Sequence, residues 1–172
     1  KRLRDERNIM SVLVTSGAVS LGRMAMGIKG LEDKIVEARV AASIGQLELM
    51  QLYKLSIGED VAQILPVHDS ILNERKGPEF AAMMRVLIDG GTFPVVNYND
   101  PADDYEIRHM SHFADNDALT ENLALMLEVD RVVILTNVDG LLDGHGQLIA
   151  EVRIDDDFEK LESYCNGKSD RG

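Results

Sequence analysis

Three turns at the ends of apolar runs carry residues that could bind ligands, and the first consists of small residues. Ser16-Gly17-Ala18 directly follows the apolar run 9–15. A strand that enters a helix through such a turn directs free backbone N–H groups and the positive end of the helix dipole at whatever lies above it. Ser16 can add a hydroxyl donor to an anion site, or it can simply cap the helix.

The second cluster combines acids and amides from two segments. Asn97, Asn99 and Asp100 follow the apolar run 93–97, and Asp115-Asn116-Asp117 opens a helical pattern. In an open α/β sheet, ligands bind at the carboxyl ends of the strands. We therefore expect a site that uses both segments, although capping and the helix dipole alone also explain acids in a first turn.

A third polar turn follows the apolar run 131–136. Asp139-Gly140 is explained by a plain β-turn, and a nucleotide contact is the alternative for this segment. Together the three turns favour an enzyme that transfers a phosphoryl group. The chain has neither a Gly-x-x-x-x-Gly-Lys-Ser/Thr nor a Gly-x-Gly-x-x-Gly motif, which argues against the P-loop and protein-kinase types.

Composition narrows the class of protein further. The 172 residues fit a single α/β domain, and the net charge of −12 argues against a nucleic-acid partner. We find no signal peptide and no apolar run near the ~20 residues that span a bilayer, so we expect no membrane partner. The single cysteine, Cys165, fits a reducing cytoplasm. The four histidines have no partners at metal-ligand spacing, even His109 and His112, so no metal site is predicted.

Predicted strands and helices alternate, which favours a mainly parallel sheet with helices on both faces. Apolar runs predict strands at 9–15, 61–67, 93–97 and 131–136, the last being the clearest buried strand. Helical spacing predicts a short helix that ends near Met26 and a long helix at 31–55 with a candidate break at Gly45. Three more helices are predicted from near Pro78 to Ile88, at 114–128 and at 156–164. A long polar loop spans 97–113, and a hairpin surrounds 144–146.

Five segments occur in an order and with spacings that resemble the amino acid kinase family. Each motif is weak alone, but the ordered series is specific, and the resemblance runs from about Asn8 to the C-terminus. The segments are Val14-Thr15-Ser16-Gly17-Ala18-Val19, Gly45-Gln46, Pro94-Val95-Val96-Asn97-Tyr98-Asn99-Asp100, Phe113-Ala114-Asp115-Asn116-Asp117 and Leu135-Thr136-Asn137-Val138-Asp139-Gly140-Leu141.

Within that family, the chain is most similar to the members that act on glutamate. The resemblance implies a three-layer αβα sandwich in which ATP, with Mg²⁺, phosphorylates the γ-carboxylate of L-glutamate in the first step of proline synthesis. It also implies a cytoplasmic homo-oligomer, a dimer or tetramer, with proline as a feedback inhibitor. Phosphoryl transfer requires positioning and charge neutralisation, and a carboxylate acceptor needs no general base.

The resemblance also assigns roles by matching position. Asp117 matches the catalytic acid that positions the family's lysines, and Thr136 with Asn137 would contact the nucleotide. The residues that would hold glutamate, two of them through the backbone, are Ser16, Gly17, Ala18, Asp100 and Asn116.

Several features depart from the family pattern. Tyr98 stands where these kinases usually carry Glu, and Ala114 replaces a usual Gly. The first strand with its Lys-x-Gly phosphate loop would lie upstream of Asn8, and a Gly-rich segment with a second lysine would begin near Gly172. We thus expect a single kinase domain over 1–172 that lacks these two parts and the RNA-modification-type domain that many members append.

Two alternatives follow from these departures. Tyr98 prompts the first, a kinase of another small acid such as acetylglutamate or carbamate. The missing lysines prompt the second, a non-catalytic regulator that binds an amino acid.

Overall fold

The computed structural model describes residues 6–27, 32–58, 60–102, 115–137, 139–143 and 145–152. It divides the chain into two compact units, Lys1–Arg131 and Val132–Gly172, which are described separately. The predicted helix 156–164, Cys165 and most of the loop 97–113, with His109 and His112, lie outside the described residues.

A parallel sheet of three strands lies at the centre of the first unit. The strands β1 (Leu13–Val14), β2 (Val61–Ile64) and β3 (Phe93–Val96) are ordered β1-β3-β2. Leu13 and Gln63 both lie opposite Val95, so β3 is the middle strand. Parallel neighbours require crossover connections, and helices supply them here. The prediction of a parallel sheet is confirmed, although each strand is shorter than its apolar run.

The helices agree closely with the sequence pattern. Asp33 caps the long second helix by accepting hydrogen bonds from two backbone N–H groups, and this helix continues through Gly45 without a break. The five-residue third helix has no counterpart in the predictions. None of the helices in the described ranges combines the length and the apolar character that crossing a membrane requires. The helices are α1 (Ala18–Met26), α2 (Lys34–Ile57), α3 (His68–Leu72), α4 (Lys76–Asp89) and α5 (Asp115–Leu127).

The sheet is covered on both faces, which gives three layers. Val96 shares a core with Met84 of α4 and Leu119 of α5, and all three are fully buried. Successive residues of a strand point to opposite faces, so Val95, 1% exposed, points away from this core. Asn97 lies on the same side as Val95 and contacts α2. The first unit is therefore an αβα sandwich, as an amino acid kinase-like fold requires.

Helices α1 and α2 pack with their backbones in direct contact. A Cβ built on Gly22 would lie 1.8 Å from the carbonyl oxygen of Ala41, and one built on Gly45 would lie 1.9 Å from that of Ala18. Only glycine fits at such an approach. This contact fixes the first turn of α1 against the middle of α2.

The segment 131–136 is not a strand, contrary to the sequence prediction. Val133, Ile134 and Leu135 are 71%, 62% and 87% exposed. β-Propensity measures how well a side chain fits a pleated, half-buried surface. The apolar composition of this run identifies it as suited to a strand, but it does not provide the pairing and burial that make one.

The second unit contains the predicted hairpin. Leu142 and Leu148 form an antiparallel bridge, and the Ile149 N–H donates to the Leu141 carbonyl at 2.8 Å. Asp143 closes the turn because its Oδ1 accepts hydrogen bonds from two backbone N–H groups of the turn. The Asp143 carboxylate thus supplements the backbone hydrogen bonds that hold the short hairpin.

Candidate functional site

The small-residue turn joins β1 to α1. Gly17 occupies the N-cap of α1 with a φ of 111°, a conformation that favours glycine. Ser16 is exposed, and the described residues supply no side-chain cap to this helix. The hydroxyl of Ser16 therefore does not cap α1, and the first backbone N–H groups of the helix remain available to a ligand.

The segment after β3 lies at the same edge of the sheet. The Thr15 N–H donates to the Val96 carbonyl at 2.9 Å, and the Asn97 N–H donates to the Ile64 carbonyl at 3.1 Å. These bonds continue the strand pairing up to both polar segments. The sheet thus brings Ser16-Gly17-Ala18 and the Asn97–Asp100 segment to one edge.

Polar side chains in this second segment are buried. Asn97 is 3% exposed and Asp100 is 7% exposed. The Asn99 N–H donates to the Pro66 carbonyl at 3.0 Å, and the Ala102 N–H donates to the Asn99 carbonyl at 2.8 Å. The segment 97–102 is therefore a fixed turn that holds the Asp100 carboxylate inside the protein.

Helix α2 holds the turn at two points. The Asn97 side-chain NH₂ donates to Gln46 Oε1 at 2.9 Å, and both residues are buried. The Arg39 guanidinium donates to the Pro101 carbonyl from Nε at 3.0 Å and from Nη2 at 2.6 Å. Arg39 and Gln46 are seven residues apart, so they share one face of the helix. Gly45-Gln46 is one of the segments that resemble the family, but the sequence alone gives Gln46 no role.

A cavity of about 310 Å³ lies between α2 and this turn. That volume is at the lower end of the range for small-ligand sites. Gln46 Nε2 is buried and has no hydrogen-bond partner among the described residues. An unsatisfied buried donor costs about 1–3 kcal/mol, so a ligand that accepts from it would remove that cost. The cavity is lined by Ala42, Ser43, Gln46, Leu47, Gln63, Leu65, Tyr98, Asp100 and Pro101.

The first turn of α5 carries the other two predicted residues of this unit. Asn116 Oδ1 is buried and lacks a hydrogen-bond partner in the described part of the chain, whereas Asp117 is exposed. Leu119, on the same turn of the helix, belongs to the core that also contains Val96 and Tyr98. Asn116 therefore offers a hydrogen-bond acceptor that the rest of the described structure does not use.

Tyr98, which departs from the family pattern, is a core residue. Its ring stacks on that of His68 with centroids 4.7 Å apart and an angle of 2° between the planes. Tyr98 is 4% exposed and packs in the cluster between the sheet and helices α3 to α5. The aromatic ring therefore occupies apolar space and also forms part of the cavity wall beside Asp100.

An ion cluster connects α1 to α2 beyond their glycine contact. Glu37, 8% exposed, accepts from Lys34 Nζ at 3.1 Å and from Arg23 Nε at 3.0 Å. The hydrogen bond from Lys34, together with that from Arg23, holds the pKa of the Glu37 carboxyl below its ordinary value. The carboxylate is thus ionised at neutral pH and joins the two helices.

The predicted nucleotide residues belong to the second unit. Thr136 and Asn137 are both exposed and precede Asp139 and Gly140. The φ of Gly140 is 141°, which marks a tight turn.

In the ranges that the structure describes, no three His, Cys, Asp or Glu side chains form a group that could hold a metal ion.

Comparison with known proteins defines the class. The model of the amino acid kinase family matches residues 1–169. Together with the αβα architecture, this match shows that the chain belongs to the amino acid kinase family.

Two curated relatives that this chain matches are both named glutamate 5-kinase. The chain is 39% identical over 171 residues to the glutamate 5-kinase of Pseudomonas putida strain W619, and the aligned region covers 94% of this chain and 44% of that protein. It is 39% identical over 160 residues to the glutamate 5-kinase of Pseudomonas entomophila strain L48, and the aligned region covers 88% of this chain and 42% of that protein. The chain therefore spans less than half the length of these relatives.

Proposed function

We propose that the full-length protein is an ATP-dependent carboxylate kinase that converts L-glutamate to L-glutamyl 5-phosphate, a step of proline biosynthesis. One observation carries the proposal: the N-terminus of α1 at Gly17 and the buried carboxylate of Asp100 lie at the same edge of the sheet. Relatives named glutamate 5-kinase support the choice of substrate.

The two segments have complementary chemistry toward an amino acid. The hydroxyl of Ser16 and the backbone N–H groups at Gly17 and Ala18 would donate to a carboxylate of glutamate. Asp100 and the Oδ1 of Asn116 would accept from its ammonium group. An acidic protein can thus bind an anionic substrate because donors that carry no net charge face the carboxylate.

The reaction requires no proton transfer from the acceptor. A γ-carboxylate oxygen attacks the γ-phosphorus of ATP, the new O–P bond forms as the bond to the β-phosphate oxygen breaks, and ADP leaves. Asp117 would orient cationic groups around the transferred phosphoryl, while Thr136 and Asn137 would contact the nucleotide.

Mg²⁺ fits this scheme as part of the bound nucleotide. It usually binds through one or two carboxylates plus phosphate oxygens, so a preformed group of three protein ligands is not required. When bound, the ion supplies charge neutralisation at the phosphates. Asp117 is an exposed carboxylate of the kind that such an ion accepts.

Tyr98 stands where the family usually carries Glu, and this departure is the reason to test a second class of acceptor, another small acid. A kinase of N-acetylglutamate or carbamate would not use Asp100 to bind a free α-ammonium group, because neither acceptor has one. Our proposal therefore predicts that acetylation of the amino group abolishes binding.

Acceptor comparison tests the proposal. ADP release from the full-length protein is measured with ATP, Mg²⁺ and L-glutamate, N-acetyl-L-glutamate or carbamate. Of these three acceptors, we expect only L-glutamate to be turned over. Turnover with either of the other acids in place of glutamate would contradict the substrate assignment, and amino-acid binding without turnover would favour a regulator.

A further inference from the structure

We propose that Gln46 is a substrate-binding residue whose side-chain NH₂ donates a hydrogen bond to a carboxylate oxygen of the amino acid acceptor. The inference rests on the proposed function and adds to that site a residue of α2. The sequence alone gives this amide no role.

The position of Gln46 is fixed by its neighbours. Gly45 packs against the carbonyl of Ala18, so residue 46 follows directly after the contact with the first turn of α1. Gln46 then bonds to Asn97, the first residue after β3. Gln46 thus lies between the two segments that we propose to hold glutamate.

The bond with Asn97 also fixes the orientation of the Gln46 amide. Because Oε1 accepts from Asn97 Nδ2 at 2.9 Å, the plane of the amide and the direction of Nε2 are set before any ligand binds. The side chain is 7% exposed, and Nε2 has no partner among the described residues. A preoriented donor of this kind binds a ligand with little loss of side-chain entropy.

The residues around the cavity suggest the chemistry of the ligand. Gln46 and Asp100 both line it, so an amide-bearing residue and a carboxylate-bearing residue border the same space. A donor beside an anion matches a zwitterion, whose carboxylate would accept from Gln46 while its ammonium binds Asp100.

Two substitutions distinguish loss of the hydrogen-bond donor from damage to the fold. Gln46→Glu keeps an acceptor for Asn97 and replaces the NH₂ group by an oxygen, and Gln46→Leu removes both polar atoms. The same two changes at Gln51, an exposed glutamine of the same helix, are the matched controls. Calorimetric titration of each full-length variant with L-glutamate, and separately with ATP and Mg²⁺, gives the dissociation constants.

We expect both Gln46 variants to weaken glutamate binding about tenfold or more, with Gln46→Glu the weaker binder because its carboxylate repels the ligand. The Kd for ATP should remain near wild type in both Gln46 variants, as should all properties of the Gln51 variants.

Failure of this inference is distinguishable from failure of the proposed function. Wild-type protein that binds no glutamate would overturn both. Wild-type binding that persists within twofold in Gln46→Glu would overturn the role of Gln46 alone. Equal losses of glutamate affinity and ATP affinity would also overturn it, because they indicate a purely structural residue.

Discussion

Gly45 of α2 lies directly against the backbone carbonyl of Ala18, the first residue of α1. A Cβ at position 45 would come within 1.9 Å of that oxygen and within 2.3 Å of the Gly22 nitrogen. The turn that we propose to bind glutamate therefore takes its position from the middle of another helix. The next residue, Gln46, ties the same helix to the turn that carries Asp100.

Replacement of Gly45 by alanine should separate α1 from α2. Because the obstructing atoms belong to the backbone, we expect a loss of about 3 kcal/mol in the free energy of unfolding, at the upper end of the range for overpacking. Urea denaturation of the full-length Gly45→Ala variant measures it. Ser56→Ala, an exposed site on the same helix, should change stability by no more than about 0.5 kcal/mol. Wild-type stability in Gly45→Ala would contradict the close contact.

Asp100→Ala should weaken glutamate binding selectively. Loss of a charged hydrogen bond to the ammonium group predicts a glutamate KM about tenfold or more above wild type, with the KM for ATP nearly unchanged. Steady-state kinetics with each substrate varied in turn makes the comparison. Asp89→Ala, at the exposed end of α4, is the control. An unchanged glutamate KM would remove Asp100 from the site.

Asp117→Ala should act on turnover and not on affinity. If Asp117 orients the groups that neutralise the transferred phosphoryl, its loss should lower kcat about 10²-fold at saturating glutamate and ATP. Glu121→Ala, an exposed acid one turn further along α5, should retain wild-type kcat. Equal kcat values for wild type and Asp117→Ala would refute the organising role of this carboxylate.

The ion cluster between α1 and α2 predicts a pH dependence of stability. The pKa of Glu37 is lowered in the folded protein, mainly by the hydrogen bond from Lys34. The Glu37 carboxylate therefore contributes fully to the free energy of unfolding above the pKa of about 4.3 that Glu has in the unfolded chain. This contribution is lost as the pH falls through the lower pKa of Glu37 in the folded protein.

Glu37→Gln tests this dependence directly. At pH 7 the variant should unfold at a lower urea concentration than wild type, and the difference should shrink as the pH is lowered below about 4. Glu48→Gln, at an exposed glutamate of α2, should follow wild type at every pH. A difference between Glu37→Gln and wild type that stays constant down to pH 3 would contradict the pKa shift.

Local signals made the helices predictable from the sequence. Asp33 and Gly58 delimit α2, and the observed end of α4 at Asp89 lies one residue from the predicted one. Strands depend on pairing, which composition does not encode. The apolar run 131–136 therefore had the composition of a buried strand and yet is exposed.

The same contrast applies to the candidate site. Parallel topology places the ends of β1 and β3 at one edge, so the proximity of Gly17 and Asp100 could be anticipated. Gln46 could not be, because a polar residue in a helix is usually solvated, and only the packing of Gly45 against α1 shows that the next side chain is buried. The core position of Tyr98 likewise depends on tertiary contacts with His68 and α5.

The most direct test of the central claim detects the acyl phosphate itself. The full-length protein is incubated with ATP, Mg²⁺, L-glutamate and hydroxylamine, which traps an acyl phosphate as a hydroxamate, while ADP is measured in parallel. We predict glutamate-dependent hydroxamate formation in a one-to-one ratio with ADP. ADP release without hydroxamate, or the absence of both products, would contradict a glutamate γ-carboxylate kinase.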